Sequence, residues 1–349
     1  MPEFFKKLSF RKKILSTYVL FIVIACVLIT SYCLKSLDAT ENDIYAYMRQ
    51  FSGQISMNTD LIVSNMDRMR FLHLIDDKVK KIIRRSEEEK TIAENLEEHD
   101  YIKRALNHMT NMNQYVLRAT IVNEYGDLYS NVESDNDSYL EKMRSIDSGQ
   151  DWTDKHKVYY TGAYEEQITL IPYELVTSIS KIYDIDRDSA IGTIYIDLNF
   201  SKIRELLNQF TKSGETGSRL LVFDSEQDVI YDSEGEEADF WEQNGAAAAD
   251  EIRAYLLGKN EKGHTLTIRG EKCVSASMRN ETTGWYVLAW MPLKEIYQSG
   301  IRNMMGILCG MLVLLLAAIA IVFWLADQIS YPVTVLTEAM GQVDEALLR

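Results

Sequence analysis

Six residues in the middle third of this 349-residue chain have the types that hold a small polar molecule: Arg118, Trp152, Tyr159, Tyr160, Tyr164 and Asp197. An arginine fork meets a carboxylate in bidentate fashion, and an aspartate accepts from an amine or a hydroxyl. Aromatic surface with polar groups beside it suits sugars and organic acids, although the same four rings would serve equally as ordinary core. Reaction chemistry is not written in the same way. No nucleophile sits beside a base at a recognisable spacing, no glycine-rich phosphate loop occurs, and no catalytic residue is assigned. The histidines, His73, His99, His108, His156 and His264, show no paired metal-ligand spacing with cysteine or carboxylate. Asp184-Ile-Asp186-Arg-Asp188 alternates carboxylates like the opening of a calcium loop, but Ser189 stands where glycine is required and no glutamate follows at the proper place. That segment reads as a solvated hairpin tip, and neither a metal nor a cofactor is expected.

Two charge-free apolar runs, residues 14–34 and 304–326, enclose these candidates. Each exceeds 20 residues, and at 1.5 Å per residue such a helix crosses a hydrocarbon core of about 30 Å. Lys6, Lys7, Arg11, Lys12 and Lys13 stand ahead of the first run against a single Glu3, so residues 1–13 stay in the cytoplasm and residues 35–303 face outward. A second crossing returns residues 327–349 to the cytoplasm. The formal charge is −15, and the outer segment alone carries −16, which makes nucleic acid an unsuitable partner. Cys26, Cys33 and Cys309 sit in the two runs, leaving Cys273 as the outer segment's one thiol, so that segment forms no internal disulfide.

The elements that must position the candidates follow from periodicity. From 37 to about 115 there is no proline, and Ile44, Met48, Phe51, Ile55, Ile62, Met66 and Met69 recur at steps of three, four or seven, which predicts a long amphipathic helix with a break in the acidic stretch 87–98. Alternation then predicts a hairpin over 118–130 around Tyr125-Gly126-Asp127, strands over 158–160, 174–183 and 190–198, and a helix over 201–210. About 100 residues later the pattern returns: 220–231 echoes 119–129, and 284–296 echoes 192–203. Two small α+β modules in tandem result, a first at about 116–210 and a second at about 219–300. Residues 211–218 are the expected linker, and the acidic, alanine-rich 234–250 is expected to be helical. After the second run, Ile329, Val333, Leu336, Met340, Val343 and Leu347 step by four and three as a coiled-coil seam, with Ser330 as N-cap and Pro332 in the first turn. One chain cannot bury such a seam, so a homodimer is expected.

In this order, a long helix, two hairpin-led modules and the glycine-then-aspartate strand Ile191-Gly192-Thr193-Ile194-Tyr195-Ile196-Asp197, the chain resembles double Cache ectodomains, with PAS-like modules distal and proximal to the membrane. Ile-Ser-Tyr-Pro and the seam after it resemble the first helix of a HAMP linker, and the whole is similar to the input half of YesM-type sensor histidine kinases. The resemblance implies a receptor of the bacterial plasma membrane that binds an extracellular small molecule in the distal module. It implies transmission through Ile329, Pro332, Val333, Leu336, Met340 and Val343 to a kinase part, absent here, that serves a cytoplasmic response regulator. The amino-acid-binding pattern of arginine, tryptophan and tyrosine is not evident around Trp152, which favours a sugar or organic acid over an amino acid. The alternatives are the input half of a chemotaxis receptor and a membrane-anchored surface binding module without a signalling role.

Overall fold

The computed structural model describes residues 10–67, 69–72, 76–132, 137–184, 186, 188–213, 217–235, 237, 239–258, 265–298 and isolated positions between 305 and 328. It divides into two compact units, residues 1–43 with 293–349, and residues 44–292. Helix α1, Phe10–Asp67, runs unbroken for 58 residues. In the first unit it carries Glu41, whose Oε2 accepts from the Tyr297 hydroxyl at 3.2 Å. Among the described residues no helix is long and apolar enough to cross a membrane. The expected second run is helical at its described positions, and the seam from Ile329 to Leu347 lies outside the described residues.

In the second unit the predicted amphipathic face of α1 is buried at Met48, Phe51, Ile55, Ile62 and Met66. The helix expected from 37 to 115, with its one break at 87–98, is three α-helices. Apolar spacing continues past Asp67, which is why the pattern concealed the end of α1. A 3-10 turn, Met69–Phe71, follows, then α2, Asp77–Ile83, then α3, Ile92–Thr110. Local chemistry sets these starts. Asp76 accepts from the backbone N–H of Lys78 and Val79 at the head of α2, and Thr91 and Glu94 form a reciprocal capping box on α3. The acidic break falls between α2 and α3 and runs into the first turns of α3.

Two antiparallel sheets follow. The first joins β1 (Val116–Asn123), β2 (Leu128–Ser130), β3 (Val158–Tyr160), β5 (Ile171–Asp184) and β6 (Ser189–Asn199) in the order β2-β1-β6-β5-β3, with β4 (Tyr164–Ile168) also pairing β5. The second joins β7 (Arg219–Phe223), β8 (Val229–Asp232), β9 (Thr265–Ile268), β10 (Glu271–Arg279) and β11 (Tyr286–Pro292) as β8-β7-β11-β10-β9. Helix α4 is Asp137–Ser148, α5 is Phe200–Ser213, and α6 is Phe240–Leu256, kinked at Gly245. The core of the second sheet gathers Leu221, Phe223, Phe240, Ile252, Leu288 and Trp290.

Two aspartates of the calcium-like segment, Asp184 and Asp186, are claimed by cations of the α2 end, and the third, Asp188, pairs with Lys155. Asp184 is fully buried and pairs with Arg84 and with Lys80 at 3.4 Å, while exposed Asp186 pairs with Lys80 at 2.9 Å and Arg84 at 2.8 Å. Among the described residues no cluster could hold a metal ion. Hydrogen bonds from Lys80 and Arg84 hold the Asp186 carboxyl down to about 2. A carboxyl depressed by folding stabilises fully above its unfolded pKa near 4 and ceases to as pH falls through the folded value. Asp186→Asn should therefore lower the urea midpoint relative to the parent at pH 6, and that difference should shrink to nothing as pH approaches about 2.

Candidate ligand site

Strand register lays a grid of side chains on one face of the first sheet. Arg118 on β1 stands directly opposite Asp197 on β6, and Asp197 opposite Thr177 on β5. Two residues along, Thr120, Tyr195, Ile179 and Tyr159 form the next row, and two further on come Val122, Thr193 and Lys181. A bulge between Val116 and Arg118 resets the phase of β1 so that the arginine enters this face. Helix α4 lies over the grid. Its Tyr139, Met143 and Asp147 are spaced by four and share one helical face, a step of about 6 Å that matches the rise of about 6.7 Å between rows. Tyr139 accordingly meets the first row, Met143 joins the apolar cluster with Ile179 and Tyr195, and Asp147 meets the third.

The first row is a connected polar network. Arg118 Nε donates to Asp197 Oδ2 at 2.5 Å, and Asp197 Oδ1 accepts from the Tyr139 hydroxyl at 3.1 Å and from Thr177 Oγ1 at 2.6 Å. The Tyr164 hydroxyl lies 2.5 Å from Thr177 Oγ1, and the Arg118 guanidinium sits 3.6 Å over the Tyr139 ring. Arg118 and Asp197 are 1% and 0% exposed, so the pair is removed from water. Burial opposes the arginine's charge, and Asp197 together with the Tyr139 and Tyr164 phenols outweighs it, raising its pKa. Burial, reinforced by Asp197, also pushes Tyr139 and Tyr164 above the usual phenol range. Burial and then Glu226 raise Tyr159 to about 12. These phenols keep their protons at physiological pH.

The third row is a second polar group. Lys181 Nζ donates to Asp147 Oδ2 at 2.6 Å and to Thr193 Oγ1 at 3.0 Å, and lies 5.2 Å from the centre of the Trp152 ring. Trp152 Nε1 donates to the backbone carbonyl of Asp147 at 3.0 Å, tying the loop after α4 to the end of that helix.

Five of the six predicted residues thus come together on one face of the first sheet: Arg118 and Asp197 in its first row, and Tyr159, Tyr164 and Trp152 packed against the cluster of Met143, Ile179 and Tyr195. Tyr160 does not. It pairs with Ser178 on the opposite face and is buried there, because adjacent strand residues point to opposite sides. Tyr139, Asp147, Thr177, Lys181 and Thr193 were missed. Lys181 was legible as a cation at an inward position of the alternation Thr177, Ile179, Lys181, and the α4 pair as an i, i+8 spacing once 137–148 is read as a helix. The arrangement offers donors, acceptors and rings, and no nucleophile held by a base. A separate groove of ≈ 810 Å³ lies between α2 and α3, lined by Leu72, Lys78, Tyr101, Arg104, Met109 and Met112 among others.

A family model described as Cache domain matches residues 36–299. The chain belongs to the Cache domain family. The match covers three quarters of the sequence, includes both sheets, and makes this Cache chain a sensory module in general terms. Among solved structures it is similar to the periplasmic sensory domain of the Campylobacter jejuni chemoreceptor Tlp1, at 15% identity and TM-score 0.55, covering 74% of this chain and 98% of that one. Two others are the ligand-binding domain of Campylobacter jejuni Tlp3 in complex with L-norvaline (13%, TM-score 0.49, 74% and 94% covered) and that of Pseudomonas fluorescens CtaA with L-isoleucine (10%, TM-score 0.48, 75% and 98% covered). At these identities the likeness is one of fold. Comparison with curated protein sequences returns no match.

Proposed function

We propose that this Cache chain is the input half of a transmembrane receptor, most specifically of a YesM-type sensor histidine kinase, and that it binds a small extracellular molecule between α4 and the first sheet. The reading rests on one observation above others, the buried row Arg118–Asp197–Thr177 with the Tyr139 and Tyr164 hydroxyls. A buried ion pair is an inefficient way to stabilise a sheet, whereas donors and acceptors preset under a helix suit recognition. A sugar or an organic acid fits better than an amino acid, since the carboxylate that would receive an ammonium group is already filled by Arg118, Tyr139 and Thr177.

In this proposal residues 14–34 and 304–326 cross the bacterial plasma membrane, both termini are cytoplasmic, and the module is a homodimer. Met57 and Leu61, exposed one turn apart on α1, support the dimer by offering an apolar strip to a second copy. Ligand binding would rebias the seam beginning at Ile329, Pro332 and Val333 toward a response regulator, through small movements of the second span.

A thermal-shift screen of the chain in lipid nanodiscs against sugars, organic acids and amino acids tests the reading. At a hundredfold over its dissociation constant a ligand stabilises the fold by about 2.7 kcal/mol. The expected hit disappears in Trp152→Ala while the unliganded melting curve is retained. A hit that Trp152→Ala leaves intact would place binding elsewhere.

A further inference from the structure

Resting on that site, we propose that its ligand carries a carboxylate, that Lys181 receives it, and that Asp147 occupies Lys181 as a tethered substitute until the ligand arrives. The side chain of Lys181 is 20% exposed and its ammonium has three fixed neighbours: Asp147 Oδ2, Thr193 Oγ1 and the Trp152 ring. Of these, Thr193 and Lys181 belong to paired central strands. Asp147 and Trp152 belong to the last turn of α4 and the loop beyond it, so the anion is the member of the group that can be exchanged without opening the sheet.

Charge on this face points the same way. Two of the carboxylates here, Asp197 and Asp147, are each matched by a cation, Arg118 and Lys181, and a third, Glu226, accepts from the Tyr159 hydroxyl at 3.3 Å. A third cation, Lys142, lies 3.7 Å over the Tyr164 ring, and no carboxylate pairs with it among the described residues. Lys142 thus adds a cation at the edge between α4 and β4. An incoming ammonium would displace a matched cation, whereas an incoming carboxylate exchanges with one internal anion and gains Lys142.

The exchange has a mechanical consequence. The Asp147 backbone carbonyl accepts the Trp152 indole N–H, so release of the Asp147 side chain frees the end of α4 and the Trp152 loop together. Binding and movement of this lid become one event.

Chemical rescue in the full chain tests the proposal. Asp147→Ala leaves Lys181 without its tethered anion, and acetate at tens of millimolar should then raise the melting temperature by several degrees. The parent chain and the double variant Asp147→Ala/Lys181→Met should respond no more than they do to chloride of equal ionic strength. In Asp147→Asn, lactate or succinate should bind about tenfold more tightly than in the parent, followed by Trp152 fluorescence. Equal acetate response in the single and double variants, or no response of Asp147→Ala to any of the three acids, overturns the role of Lys181. A neutral sugar that stabilises the parent and is lost in Trp152→Ala overturns the carboxylate while the site stands. Carboxylate stabilisation that survives both Trp152→Ala and Lys181→Met overturns the site itself.

Discussion

Asp197→Ala should lower the unfolding free energy by about 3–5 kcal/mol, the cost of leaving a buried charge without its partner. Arg118 would keep its charge in an environment from which water is absent, and the Tyr139 and Thr177 hydroxyls would lose their shared acceptor. Urea unfolding at neutral pH measures the effect. The companion variant Arg118→Met/Asp197→Leu removes both charges, and it should recover most of the loss, since well-packed apolar residues replace buried ion pairs at little cost. A stable double variant that no longer responds to ligand would separate the two roles of the pair. It would also show that the ion pair is kept for recognition rather than for strength.

Gly192→Ala should cost roughly 2–3 kcal/mol, as expected for forcing a methyl group into a filled interior. A Cβ at this position would stand 2.5 Å from the Val122 carbonyl oxygen and 3.1 Å from the Asn123 Cα, both backbone atoms of the neighbouring strand. Nothing flexible is available to yield. Gly192 sits in β6, between β1 and β5, so relief requires separating central strands just where the Glu124 N–H donates to the Ile191 carbonyl. A fall in the urea midpoint, with faster amide exchange at Glu124, is the expected result. An unchanged midpoint would mean that the sheet can slide there.

The strands were legible because alternation and turn residues agree. β3 was read to the residue, β5 and β6 to within three, and the hairpin turn carries Gly126 at positive φ with Asn123 accepting from the N–H of Tyr125 and Asp127. Helix ends were less so, because the burial pattern of α1 leads on through Met69 while the cap that starts the next helix is a single aspartate, Asp76. β4 escaped notice since Tyr164-Glu165-Glu166-Gln167-Ile168 offers few apolar positions. The site was half legible for a related reason. Residue type singled out Arg118 and Asp197, but choosing between Tyr159 and Tyr160 needs the phase of β3 against β5, and Asp147 acquires meaning only when α4 is known to cover the sheet.

In each sheet the first strand of the segment pairs with its last: Val116 stands opposite Leu198, and Arg219 opposite Trp290. The chain therefore enters and leaves each sheet a single strand spacing apart, about 5 Å. Everything between those gates can be lengthened, shortened or exchanged without moving what precedes or follows it. A lineage carrying this layout is free to acquire new chemical tastes in one sheet by altering the stretch from β2 to β5, while the remainder of the molecule continues to be inherited unchanged.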